Sequence, residues 1–447
     1  MNHSIKEVLR LQVAPALGCT EPAAVALCAA AAASLLDHRD FTSIEAWVSP
    51  NIYKNGMAVS IPGTGGQCGI DLAAALGAFG GDPTRKMEVL DPITDDIVGE
   101  AQNFIRHENV HLHLMPEKQS IYIQVQVKTH DQVAEAVIQK MHDCITTLKL
   151  NGYEINQHNL LAAETAASSD ANSELESWLS QLNLEALIAL LDDLDAEDLA
   201  FINEGVNFNL RLAEYGLTYG PGLGIGKTFE RLIREGLLHK DMVLAARMLT
   251  SAAADARMSG VKLPAMSSAG SGNHGLTAIL PIWAIKDYIV CDDETQVLKA
   301  IALSHIITAY VKAQTGRLSA ICGCSVAAGA GATGGITYLM GGSASHIASA
   351  IKNLISDLAG VICDGAKASC SLKLATAAGA ATQSALFALH GIDVKPTDGI
   401  VGHSSEETMR NVGQLSTHGM IETDRTILQI MIGKWFPLNH SHPPHHR

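Results

Sequence analysis

Hydrophobic and polar positions divide the chain into stretches of different period. Residues 1 to about 38 read as helical, broken by Pro15 and restarted after the turn Gly18-Cys19-Thr20-Glu21-Pro22. Thr20 or Glu21 would cap that second helix, Pro22 fits its first turn, and the run AAVALCAAAAASLL carries it onward. From about 43 to 150 the pattern becomes strand-like at Ile44–Val48, Met57–Ile61 and Ile121–Lys128. The last of these alternates apolar and polar residues with the cleanest period of two in the sequence. Helical patterns near 68–80 and 131–148 lie among them. Residues 170–204 are acidic, with two short apolar-periodic helices, ELESWLSQL and LEALIALL, read as a solvated connector. From 205 to 436 the pattern is helical, interrupted by glycine-rich turns, and no internal repeat of fixed period is visible.

The expected fold is therefore α+β: a mainly α-helical catalytic domain interrupted by a smaller α/β domain. The domain reading assigns 1–40 to the N-terminal helical part of the catalytic domain and 41–165 to the inserted α/β domain. It assigns 166–204 to the acidic helical connector, 205–436 to the helical catalytic domain and 437–447 to a disordered His-rich tail. This arrangement would bring Cys19 to the cysteines of the C-terminal half.

Composition narrows the function. Hydrophobic residues make up 47% of the 447 and charged residues 17%, a balance that excludes intrinsic disorder. The formal charge of −15 repels phosphate backbones and anionic membranes, so nucleic acid is not an expected partner. The uncharged stretch Leu318–Ile351 is rich in Gly, Ser, Thr and Ala, which fits a buried helix pair better than a membrane span. The N-terminal residues carry no basic start followed by an apolar run, so the expected location is the cytoplasm. A homodimer is compatible with such a chain.

Three motifs remain as candidate chemistry. Gly220–Thr228 ends in Gly-Lys-Thr, but a phosphate loop needs glycine where Pro221 stands, so it reads as a turn leading into a helix over 227–236. Met266–Gly275, MSSAGSGNHG, is a run of small and polar residues between apolar helices. It suits a bound carboxylate, with Ser271, Asn273 and His274 as donors, and His274 could also serve as acid or base. Nine cysteines in a chain expected in a reducing compartment point to metal binding or catalysis rather than to disulfides. Cys322-Gly-Cys324 and Cys363-x6-Cys370 contain no CxxC pair and do not form a zinc ribbon. One thiolate from the first group and two from the second would suit an iron-sulfur cluster with one iron open. The competing reading is a set of small buried core thiols. Cys28, Cys68, Cys144 and Cys291 fit that core reading. Cys19, in a turn at a helix N-terminus, is expected to have a lowered pKa.

Gly-Cys-Thr-Glu-Pro at 18–22, Ser-Ala-Gly-Ser-Gly-Asn-His-Gly at 268–275, Cys-Gly-Cys-Ser at 322–325 and Cys-x6-Cys at 363–370, taken in order, resemble the L-cysteine desulfidase family. That family is related to the α-subunit of the iron-sulfur L-serine dehydratases, and the resemblance spans essentially the whole chain, including the GAGATGG run at 329–335. It implies a [4Fe-4S] enzyme that converts L-cysteine to pyruvate, ammonia and hydrogen sulfide without pyridoxal phosphate. The implied ligands are Cys324, Cys363 and Cys370. Cys322 shares the first motif, but Cys324 matches the Gly-Cys before the glycine-rich helix in the dehydratases. Cys19 would be the base near the substrate, with Thr20 and Glu21 beside it. An L-serine dehydratase differs only in the leaving group, and a non-enzymatic iron-sulfur redox sensor would need neither Cys19 nor the 267–275 loop.

Overall fold

The computed structural model describes residues 3–118, 121–162, 167–289, 293–316 and 319–435. The His-rich tail and Cys291 lie outside the described residues. The fold is α+β and mainly helical, as expected, with two packing layers.

The first layer is built on a six-stranded sheet of order β3-β2-β4-β5-β6-β7. Its strands are β2 (Ser43–Val48), β3 (Val110–Leu114), β4 (Tyr122–Lys128), β5 (Val133–Gln139), β6 (Ile145–Leu150) and β7 (Tyr153–Glu154). Only β2 and β3 pair in parallel. In β4 the period-two pattern works as written, turning Ile123, Val125 and Val127 into the core while Gln124 and Gln126 face outward and donate to Glu135. Helices α2 (Thr20–Ala33), α3 (Pro50–Gly56), α4 (Ile70–Gly80) and α5 (Asp95–Arg106) cover this sheet. Small residues let α2 and α4 touch: a Cβ on Gly77 would lie 2.1 Å from the Ala26 carbonyl oxygen.

The second layer is the helical body. It comprises α1 (Ile5–Gln12) and α6 (Ala167–Leu179) to α16, with the last helix α17 (Ile421–Trp435) returning to the sheet side. At its centre lie α10 (Met242–Met258), α11 (Gly272–Ile285), α12 (Glu294–Thr315), α13 (Ala327–Leu339) and α15 (Cys370–Leu389), flanked by α8 (Ala196–Tyr219), α9 (Ile225–Arg234), α14 (Ala344–Leu358) and α16 (Ser405–Gln414). Two glycines of α13 let it approach the α12 backbone closely. A Cβ on Gly331 would lie 2.4 Å from the Ser304 carbonyl oxygen, and one on Gly335 would lie 2.5 Å from that of Ala300. Among the described residues no helix is long and apolar enough to cross a membrane.

Several expectations are corrected. The 131–148 segment is not helical but forms β5 and β6, because VAEAVIQ buries both faces between α2 and the sheet interior, and its apolar run carries no single period. Met57–Ile61 is a loop following α3, held by one isolated bridge from Ser60 to Cys68. The connector is less solvated than expected, since Leu175, Leu179, Leu184, Leu187 and Leu191 of α6, α7 (Leu184–Ala189) and the following turn enter the main core. Within residues 1–40, α1 packs in the helical body, but α2 belongs by its contacts to the sheet layer. Gly220–Thr228 is, as expected, a glycine-rich turn leading into a helix, α9: Gly220, Gly222 and Gly224 take φ near +60°, and the Lys227 ammonium donates to the Thr218 carbonyl at 2.6 Å.

Candidate active site

A two-stranded ribbon assembles the first half of the site. β1 (Pro15–Leu17) pairs antiparallel with β8 (Pro264–Met266), which sets the Gly18–Glu21 turn beside the 267–275 loop despite their separation in sequence. The Ser267 N–H donates to the Ala14 carbonyl at 2.8 Å, and the Ala269 N–H to that of Gln12 at 2.8 Å. Two buried histidines hold the loop from behind. Ser268 accepts from His274 Nδ1 through its carbonyl at 3.2 Å and bonds His305 Nδ1 through its hydroxyl at 2.9 Å. At its tip Ala269 and Gly270 take φ of +45° and +79°. The first turn of α11 presses on the strand so closely that a Cβ on Gly275 would lie 1.8 Å from the Met266 carbonyl oxygen.

The cysteine motifs meet through an isolated bridge between Ile321 and Ile362. The Cys322 N–H donates to the Val361 carbonyl at 2.8 Å and the Cys363 N–H to that of Ala320 at 2.6 Å, so two motifs distant in sequence lie side by side. Cys370 opens α15. Asp364 accepts from Lys373 at 2.6 Å and pairs with Lys367, which fixes the turn between Cys363 and Cys370.

All nine residues expected at the site, Cys19, Thr20 and Glu21, Ser271, Asn273 and His274, and Cys324, Cys363 and Cys370, border one cavity of about 160 Å³, and Cys322 borders it too. Thiols, an acid and amide groups thus share one cavity. Among the described residues no three His, Cys, Asp or Glu side chains gather as ligands of a single ion. Cys28 is buried as expected of a core thiol, whereas Cys68 is exposed.

Electrostatics correct two expectations. Cys19 is the N-cap of α2, but its side chain makes no capping bond. Its thiol instead donates to Glu21 Oε2 at 3.2 Å, and burial, together with the Glu21 charge, holds the thiol well above its ordinary pKa. His274 is pushed down to about 3 by burial, with the Lys312 and Arg257 charges adding to the effect. At neutral pH it is therefore an uncharged imidazole. Since Ser268 offers a carbonyl, His274 donates from Nδ1 and keeps Nε2 as an acceptor. Gly323 makes room for that ring, because a Cβ there would lie 2.4 Å from Nε2. Burial pushes the Cys363 thiol up and the Cys370 thiol to about 11, and Cys324 is pushed up by its hydrogen bond to Cys322, which is drawn down in turn. Thiols of this kind ionise when a cation compensates them.

The sequence motifs did not include the cations that line the cavity: Lys54 from α3, Arg257 from α10, Lys312 from α12 and Lys373 from α15. Nor did they include His142, from the β5–β6 turn, whose Nε2 lies 4.0 Å from Glu21 Oε1. Arg257 was detectable in principle, as a lone guanidinium in the otherwise small and apolar run Ser251–Met258 bordered only by Asp255. The others come from separate elements and share no spacing.

Fold and cavity together define a mainly helical α+β protein with a thiol-lined site of small-molecule size. The chain belongs to the serine dehydratase alpha chain family, whose model matches residues 85–429. It is 59% identical over 437 residues to a UPF0597 protein of Desulfatibacillum aliphaticivorans, covering 98% of this chain and 99% of the relative. It is 57% identical to one of Desulfotalea psychrophila, covering 97% and 99%, and 44% identical to one of Clostridioides difficile, covering 95% and 98%.

Proposed function

We propose that the protein is a lyase of the iron-sulfur serine dehydratase type that eliminates sulfide from L-cysteine, giving pyruvate, ammonia and hydrogen sulfide. The observation that carries this reading is the convergence of Cys324, Cys363 and Cys370 with Cys19 and the 267–275 loop on one cavity.

The donor set fits a [4Fe-4S] cluster. Three soft thiols from separate turns border one cavity, and a cluster is held by thiolates distributed around its corners rather than at a point. Cys324, Cys363 and Cys370 would hold it. When bound, the cluster supplies a Lewis acid for the departing sulfur.

The remaining work falls to side chains. Cys19 sheds its proton to Glu21 along the 3.2 Å contact, and the resulting thiolate takes the α-proton of the substrate. Thr20 donates to the same Glu21 oxygen at 3.1 Å, which holds the carboxylate in place. Ser271 and Asn273 orient the substrate, and neutral His274 offers Nε2 as an acceptor. Loss of the α-proton and of the β-sulfur leaves aminoacrylate, which tautomerises and hydrolyses in water to pyruvate and ammonia.

L-Serine in place of L-cysteine is the second reading, since only the leaving group differs and the family name carries it. The test is anaerobic purification with iron and sulfide counts, followed by pyruvate release from each amino acid. Brown protein with about four irons that releases sulfide from L-cysteine faster than it dehydrates L-serine supports the proposal. The reverse preference supports the dehydratase. Brown protein inert to both favours a redox sensor, and protein that cannot be loaded with iron overturns the cluster.

A further inference from the structure

Arg257 is 4% exposed, and among the described residues no ion pair joins its guanidinium to a carboxylate. Two of its donors are fixed by neutral acceptors: Nη1 donates to Asn273 Oδ1 at 2.9 Å and Nη2 to the Gly18 carbonyl at 2.6 Å. Its Nε–H is buried without a hydrogen-bond partner. A buried cation held only by neutral groups is costly, and truncating either neutral partner would not remove that cost.

The surroundings add to the positive potential. Arg257 lies against the first turn of α11, a fourteen-residue helix, where Gly272 admits it: a Cβ there would sit 2.4 Å from Nε and 2.9 Å from Nη2. The Ser271 side chain at the N-cap makes no capping bond, and the first turn of α11 carries no acidic residue. Both features face the cavity that Cys19 and Asn273 also border. Elsewhere around it, Lys54 pairs with Asp424, Lys373 with Asp364, and the Lys312 ammonium donates to the Gly316 carbonyl at 2.6 Å, whereas Arg257 pairs with no acid among the described residues.

We infer that Arg257 and the uncapped N-terminus of α11 form the receptor for the α-carboxylate of an amino-acid ligand. The inference rests on the amino-acid reading of the site but not on which β-substituent leaves. A carboxylate gives the guanidinium its missing counter-ion and gives the first N–H groups of α11 an acceptor, which is a pairing that a planar fork makes better than a lysine. Asn273 and the Gly18 carbonyl are then positioning groups that hold the fork fixed before ligand arrives. The link to Gly18 also ties the carboxylate receptor to the turn that carries Cys19.

The test uses L-alanine, which has the carboxylate but no leaving group, and L-alaninamide, which lacks the charge. Binding of each is measured by calorimetry to anaerobically reconstituted protein, for the wild type, Arg257→Lys and Arg257→Gln, with iron content and circular dichroism as controls. The wild type should bind L-alanine and bind L-alaninamide roughly a hundredfold more weakly, and Arg257→Gln should lose a similar factor for L-alanine. Arg257→Lys should fall between. Comparable binding of alanine and its amide by the wild type overturns the receptor whatever the variants do, as does a folded Arg257→Gln protein that binds L-alanine normally. Alanine binding that depends on Arg257, in protein that turns over neither L-cysteine nor L-serine, upholds the receptor and overturns the lyase. Turnover of L-cysteine with a KM that Arg257→Gln leaves unchanged upholds the lyase and overturns the receptor.

Discussion

Gly323 and His274 show how one missing side chain sets a chemical state. With no Cβ between the Cys322-Gly-Cys324 turn and the imidazole, the ring is buried against the thiol motif and stays uncharged. Gly323→Ala places a methyl group 2.4 Å from Nε2 and must displace either the ring or the cysteine turn. Expected is a folded protein that loads less iron or loses most of its turnover, read by iron content against circular dichroism. Burial of His274, pushed to about 3, and of His305, pushed to about 4, also sets an acid limit on stability. Both folded-state values lie below the ordinary histidine value, so the unfolded chain binds more protons between about 4 and 6.5, and stability rises with pH across that window. It is present in full above about 6.5 and is lost as pH falls. Melting temperature measured from pH 7 to pH 4 should drop steadily, and His305→Asn, which keeps a partner for Ser268, should flatten that slope. An unchanged slope would mean that other groups control acid unfolding. Ala269, with φ of +45°, carries strain that glycine would relieve, so Ala269→Gly should be neutral or stabilising by up to about 1 kcal/mol in chemical denaturation.

At the scale of elements, the α11 docking depends on Gly275. Its Cβ would meet the Met266 carbonyl oxygen at 1.8 Å, and backbone cannot move aside as a flexible side chain could. Gly275→Ala is therefore expected to destabilise by about 3 kcal/mol or more and to cost solubility on expression, whereas Gly99→Ala, in open space on α5, should gain a few tenths through helix propensity. Elements like these also mark what the sequence can convey. The period-two run of β4, the turn before α2 and both cysteine motifs depend on neighbours within a few residues, so they were legible. The β5–β6 hairpin was not, because a strand buried on both faces has no alternation to display. The Ile321–Ile362 bridge, the β1–β8 ribbon and the cations Lys54 and Lys373 unite distant segments, and no local spacing encodes such contacts. Cys19 was found by its motif, but its raised pKa depends on the Glu21 rotamer and on burial, which only the folded chain defines.

Over the whole molecule, the last helix ties the two layers at the edge of the site. Leu428, Met431 and Ile432 of α17 pack on the sheet-layer core, and Asp424 pairs with Lys54 at 2.5 Å. Lys54 is buried, borders the cavity and carries the carbonyl against which the Gly365 turn rests; a Cβ on Gly365 would lie 2.0 Å from that oxygen. The chain between Cys363 and Cys370 is thus seated on α3, and α3 is neutralised by α17. Asp424→Asn keeps the shape but leaves the Lys54 charge buried without its counter-ion, which should cost about 1 to 3 kcal/mol, the lower part of that range reflecting the one-third exposure of Asp424. Because the loss falls on the seat of the cysteine turn rather than on the substrate, cluster retention during a chelator challenge should shorten while KM stays near that of the wild type. Lys54→Met in the Asp424→Asn background removes the orphaned charge and should recover much of the stability in a double-mutant cycle. A double variant no more stable than Asp424→Asn alone would show that α17 holds the sheet layer through its apolar face and not through this pair.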